Sequence, residues 1–104
     1  MATNDKLLLE FKATLNRMYG ARLERVVLFG SRARGDARPE SDYDIAVFLN
    51  DLADRWAESD NLADAATQVL SRTGAFIHVM PYRIAQYDER SPLMHEIRGE
   101  GHDL

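Results

Sequence analysis

Residues 25–47 constrain this chain more than any other stretch. An apolar run, RVVLF (25–29), stops at Gly30-Ser31, and after ten intervening residues a second apolar run opens with Asp42-Tyr43-Asp44. The first run is β-branched and short enough for a buried strand. The second, SDYDIAVFL (41–49), reads as another strand. In strict alternation Asp42, Asp44, Ala46 and Phe48 share one face, while Tyr43, Ile45, Val47 and Leu49 share the other, which is expected to face the core. The intervening GSRARGDARPES (30–41) is polar and rich in Gly, Arg and Pro, so it reads as a loop with room for one helical turn.

The remaining segments supply partners for these strands. From about Asn4 to Tyr19, Leu8, Phe11, Leu15 and Met18 recur at the spacing of one helical face. Thr3, Asn4 or Asp5 can cap its start, and Gly20 suits its end. A second helix is expected from about Ser59 to Thr73, with a start as early as Ala53. Its apolar stripe is Leu62, Ala66, Val69 and Leu70, and Gly74 stops it. FIHVM (76–80) reads as a third strand closed by Pro81. Ser91-Pro92 then looks like a cap with proline at the first helical position, followed by Leu93, Met94 and Ile97 before Gly99. The fold class is therefore α/β (α+β): one small domain over 1–104, a mixed sheet of three to four strands flanked by helices.

Composition narrows the function classes. Apolar residues make up 45% of the 104 and charged ones 29%, as in a soluble globular protein. Without cysteine there is no disulfide, thiolate nucleophile or usual structural zinc site. No apolar run approaches the roughly 18–20 residues that cross a bilayer. The start, MATNDKLLLEFK, lacks the basic opening and cleavage site of a signal peptide, so a cytoplasmic location without membrane contact is expected. Thirteen Lys and Arg against 17 Asp and Glu leave a net charge of −4, which exerts no global pull on nucleic acid. Any phosphate binding must be local.

Such a local site is visible. Asp42 and Asp44, two apart on a strand, would hold their carboxylates on one side, where like charges about 6 Å apart repel by roughly 3 kcal/mol at an effective dielectric near 20. A hard divalent cation such as Mg²⁺ relieves that repulsion. Gly30 allows a sharp turn and close backbone approach. If Ser31 opens a helical turn through Arg34, its amides and hydroxyl can meet a phosphate, with Arg32, Arg34 and Arg38 nearby. Phosphate donors beside a carboxylate pair can together hold a metal-bound nucleoside triphosphate. The P-loop pattern fails, because Asp36 stands where its lysine belongs. Tyr43 and Trp56 could stack on a base, although Trp56 is expected to pack its helix onto the core. Tyr82 and Tyr87 read as packing residues, and His95 and His102 as surface residues.

The stretch GSRARGDARPESDYDIAVF resembles the Gly-Ser-x10-Asp-x-Asp pattern of nucleotidyltransferases of the DNA polymerase beta superfamily. The layout of the chain resembles the minimal nucleotidyltransferase (MNT) antitoxins, which are paired with HEPN-domain toxins. The resemblance implies that Gly30 and Ser31 bind the triphosphate of ATP, to which the charge of the loop adds Arg32 and Arg34, and that Asp42 and Asp44 bind Mg²⁺. It further implies transfer of AMP to a tyrosine hydroxyl of a HEPN RNase, in a hetero-oligomer with that partner and without direct nucleic-acid contact. The superfamily's third carboxylate is replaced: the matching segment is Ile77-His78-Val79-Met80. A neutral imidazole can act as general base, but it is a poor Mg²⁺ ligand. His78 is therefore either a catalytic substitute or a hydrogen-bonded strand residue. Two alternatives to the transferase stay open: an antitoxin that occludes its toxin without turnover, and a subunit of a small-molecule nucleotidyltransferase.

Overall fold

The computed structural model describes residues 5–104. Helix α1 (Lys6–Tyr19) starts at Asp5, whose carboxylate accepts from the backbone N–H groups of Leu7 at 2.9 Å and Leu8 at 3.4 Å. Such a cap contributes about 1 kcal/mol. Thr3 and Asn4, the other cap candidates, lie outside the described residues. Leu8, Phe11 and Leu15 are buried as expected, but Tyr19 takes the place of Met18, which is 37% exposed. The tyrosine can end the stripe because its hydroxyl donates to Glu58 Oε2 at 2.9 Å.

The strands are β1 (Leu23–Phe29), β2 (Tyr43–Leu49), β3 (Ile77–Arg83) and β4 (His102–Asp103), and the other helices are α2 (Ser31–Arg34), α3 (Arg55–Thr73) and α4 (Pro92–Glu100). Among the described residues they form one sheet in the order β3-β2-β1-β4. β1 pairs antiparallel with β2 and β4, whereas β2 and β3 run parallel. A parallel pair needs a long crossover, and α3 supplies it.

Apolar residues cover both faces of the sheet. α1 and α3 pack on Leu28, Ile45, Val47 and Val79. On the other face Val27, Ala46, Phe48 and Tyr82 meet Met94 and Ile97 of α4. The alternation in 43–49 is thus present, but Phe48 is as fully buried as Ile45. Tyr82 and Tyr87 do pack, with ring centroids 5.6 and 5.3 Å from that of Phe48.

Three expectations are corrected. Pro81 does not close the third strand but lies inside β3. β3 is an edge strand, where a missing N–H is tolerated. Gly99 is helical, and α4 ends at Gly101 instead, after the expected Ser91 cap. The second helix begins at Arg55, within the expected range, capped by Asp54. Trp56 is 81% exposed and packs no helix onto the core. It precedes Leu62 by six residues, roughly 240° around the helix and away from the buried stripe. Among the described residues no helix is long and apolar enough to cross a membrane.

Glu58 joins α3 to α1. Its carboxylate accepts from Tyr19 Oη, from Arg22 Nη2 at 3.0 Å and from Asn61 Nδ2 at 3.4 Å. Burial pulls its pKa up, but these hydrogen bonds and the guanidinium outweigh that and leave it below the ordinary carboxylate range. A depressed carboxyl stabilises the fold above its unfolded pKa, and that contribution is lost as pH falls through the folded value. Glu58→Ala is expected to cost about 1–3 kcal/mol at neutral pH. The deficit should shrink as pH drops below about 4, checked by thermal melts of both proteins across the acid range.

Candidate active site

The site is built around a glycine whose place leaves no room for a side chain. Gly30 ends β1 at φ +75°, a conformation open to glycine at little cost. The chain then folds at once into α2. The N–H groups of Ala33 and Arg34 donate to the Gly30 carbonyl at 3.1 Å each. Those of Gly35 and Asp36 donate to the Ser31 carbonyl at 3.0 and 3.1 Å. Gly35, at φ +85°, turns the chain out of the helix. The amides of Ser31 and Arg32 come first in this turn, so no carbonyl within it can receive them.

Asp44 stands beside the turn because β2 pairs with β1 in the register Phe29↔Asp44. A methyl group on Gly30 would overlap Asp44 Oδ2 and lie 3.2 Å from its Cγ. On the other side β3 sets His78 opposite Asp44, with Nδ1 3.4 Å from Oδ1. One carboxylate therefore sits between a serine-bearing turn and an imidazole. The Asp44 side chain is 30% exposed and that of His78 64%, so this end of the face is open while Phe48 at the other end is covered. Asp42 is exposed and lies in the loop just before β2 rather than on the strand.

The arginines of the loop differ in what they do. Arg32 is committed to holding the loop. Its Nε and Nη2 donate to the Ser41 carbonyl at 3.0 and 2.9 Å, and Nη2 also reaches Pro39 O at 3.2 Å. Its guanidinium lies 4.0 Å from the Tyr43 ring centroid. Tyr43 is itself buried, with its hydroxyl on Asp5 Oδ2 at 2.9 Å, so the structure gives it a packing role in place of base stacking. Burial and then that hydrogen bond raise its pKa. Arg34 is partly exposed and makes long ion pairs, 3.4 Å to Asp36 and 3.4 Å to Glu100. Arg38 is exposed.

His95 is exposed as expected, but His102 is not a surface residue. It lies in β4, partly buried, with Nε2 2.8 Å from the carbonyl of Ala33 in α2. No local pattern signals a contact across 69 residues of chain.

This arrangement can be compared with known proteins. The profile of the family described as polymerase beta, nucleotidyltransferase, matches residues 12–104. A Methanocaldococcus jannaschii protein provisionally named a protein adenylyltransferase is 34% identical over 76 residues, which are 73% of this chain and 70% of that protein. A chain of a toxin–antitoxin structure solved with AMP-PNP superposes with a TM-score of 0.63 at 21% identity, covering 97% of this chain and 72% of its own. A chain from the complex of tri-AMPylated Shewanella oneidensis HEPN toxin with MNT antitoxin gives 0.54 at 20% identity, covering 93% and 70%. At these identities the two structures establish likeness of fold.

Proposed function

The chain belongs to the polymerase beta nucleotidyltransferase family, and from that premise we propose that it is an MNT antitoxin that transfers AMP from ATP to a tyrosine hydroxyl of a HEPN-domain toxin. The observation that carries this reading is the packing of Asp44 directly against Gly30, with His78 in register behind it. Groups suited to phosphate and groups suited to a cation then adjoin.

Gly30 and Ser31 receive the triphosphate through the turn's leading amides and the Ser31 hydroxyl. Arg34 adds positive charge from the turn's far end, and Arg32 acts through the loop whose carbonyls it holds. Asp42 and Asp44 are an all-oxygen donor pair, which fits Mg²⁺. The tight seat of Asp44 on Gly30 supports this assignment, because one carboxylate adjoins the turn. When bound there, the cation supplies charge neutralisation on the phosphates and acidifies the acceptor hydroxyl. The tyrosine oxygen attacks the α-phosphorus, a P–O bond forms, the bridging bond to the β-phosphate breaks, and pyrophosphate leaves. The hydroxyl proton goes to His78 Nε2, which is free to accept it when Nδ1–H faces Asp44. The openness of the site around His78 suits an acceptor that arrives on another protein's surface.

The direct test is incubation with the neighbouring gene's product, ATP and Mg²⁺, followed by intact-mass measurement. Addition of one or more AMP units to that protein is expected, and an unchanged mass with an intact complex would overturn the transferase reading. Within the reading, His78→Ala should lower turnover by about 10²-fold while leaving ATP binding in place, measured by label transfer from ATP. His78→Asp, which restores a carboxylate, should retain most of the rate. The exposed imidazole in place of that carboxylate also favours a second reading, neutralisation by occlusion alone. That reading expects full neutralisation by a variant with both Asp42 and Asp44 changed to Asn.

A further inference from the structure

We propose that His102 is a positioning residue for the phosphate turn: Nε2–H donates to the Ala33 carbonyl and holds Ser31 in place beside Asp44. This rests on the reading that Gly30 and Ser31 receive the triphosphate.

A helix of one turn cannot hold its own shape, since nucleation alone is unfavourable. α2 uses its first two acceptors internally, the carbonyls of Gly30 and Ser31. The amide that a continuing helix would bring to the Ala33 carbonyl is that of residue 37, beyond Gly35, where the chain has already turned away. His102 meets it at 2.8 Å. A carbonyl only accepts, so the nitrogen facing it carries the proton.

The anchor is rigid because it is part of the sheet. His102 pairs with Leu28 and Asp103 with Val27, and the N–H of Leu104 donates to Val26 at 2.9 Å. A side chain at Gly101 would overlap the Ile97 carbonyl and Val27 Cγ1, so glycine lets α4 pass straight into β4 against β1. Arg34 to Glu100 is a second tie from the same segment to the same turn. The end of the described chain thus braces, from the sheet edge, the turn that the sequence places some seventy residues earlier.

The test separates a donor from a space-filler. His102→Gln keeps a donor at similar reach, and His102→Met fills the space without one. Binding of the Mg²⁺ complex of α,β-methylene-ATP, which the enzyme cannot cleave at the α-phosphorus, is measured by calorimetry for each. Adenosine serves as the control that lacks the triphosphate. His102→Met should weaken the triphosphate ligand about 3- to 10-fold with adenosine unchanged, and His102→Gln should restore most of the loss. Should His102→Met fail to fold, His102→Asn replaces it, because the shorter amide falls short of the carbonyl. Binding by the wild type with equal affinity in the donor-lacking variant overturns the positioning role alone. No binding by the wild type overturns the nucleotide reading and the positioning role together.

Discussion

Asp44→Asn should lower nucleotidyl transfer by about 10³-fold or more, with the fold intact and the melting temperature equal to or above that of the wild type. The two halves of this result have one cause. The substitution keeps the side chain's shape against Gly30 but removes the charge that, in the proposed reading, draws a cation to the triphosphate. Among the described residues no Lys or Arg pairs with Asp44, so without ligand the lost charge should cost the fold little. A structural carboxylate would behave in the opposite way, and its loss would lower stability. Label transfer to the partner and a thermal melt of the same preparation distinguish the two. Retained transfer in the Asn variant would remove Asp44 from the proposed mechanism.

Gly30→Ala should be more damaging to the molecule. An alanine at φ +75° costs about 1–2 kcal/mol from its backbone alone. Its methyl group would also overlap Asp44 Oδ2, and with Cγ at 3.2 Å and Cβ at 3.3 Å the whole carboxylate must swing out. We expect a total loss of about 2–4 kcal/mol in denaturant titrations, with binding of Mg-ATP abolished. Combining Gly30→Ala with Asp44→Ala isolates the overlap. The double variant should regain the part of the stability lost to the overlap, keep the backbone penalty, and remain inactive. Additive losses would show that the two residues do not meet.

Much of this architecture was legible in the one-dimensional pattern. The helices over 6–19 and 55–73, the strand that stops at Gly30 and the cap at Ser91 are signalled by residues a few positions apart. The same holds for the candidate site's first half. The glycine, the serine and the two aspartates lie within fifteen residues, and the pairing of two antiparallel strands brings Gly30 and Asp44 together. Misjudged positions were those where a distant element decides. Trp56 has the composition of a core residue, but the rotation of α3 relative to the sheet turns it outward. Met18 and Tyr19 are both plausible ends of an apolar stripe, and only Glu58, contributed by another helix, selects the tyrosine. The carbonyls that the Arg32 fork meets, those of Arg38, Pro39 and Ser41, were likewise not legible from its place in the loop.

The strand-turn-strand segment and its acids were settled by short-range rules, because glycine torsion, side-chain alternation and capping act over one or two turns of chain. Strand order was not. The neighbour of each strand depends on how α3 crosses over and where α4 returns, and those choices are made by packing among residues far apart in sequence. Pairing His78 with Asp44, and bringing His102 to Ala33, are consequences of that order.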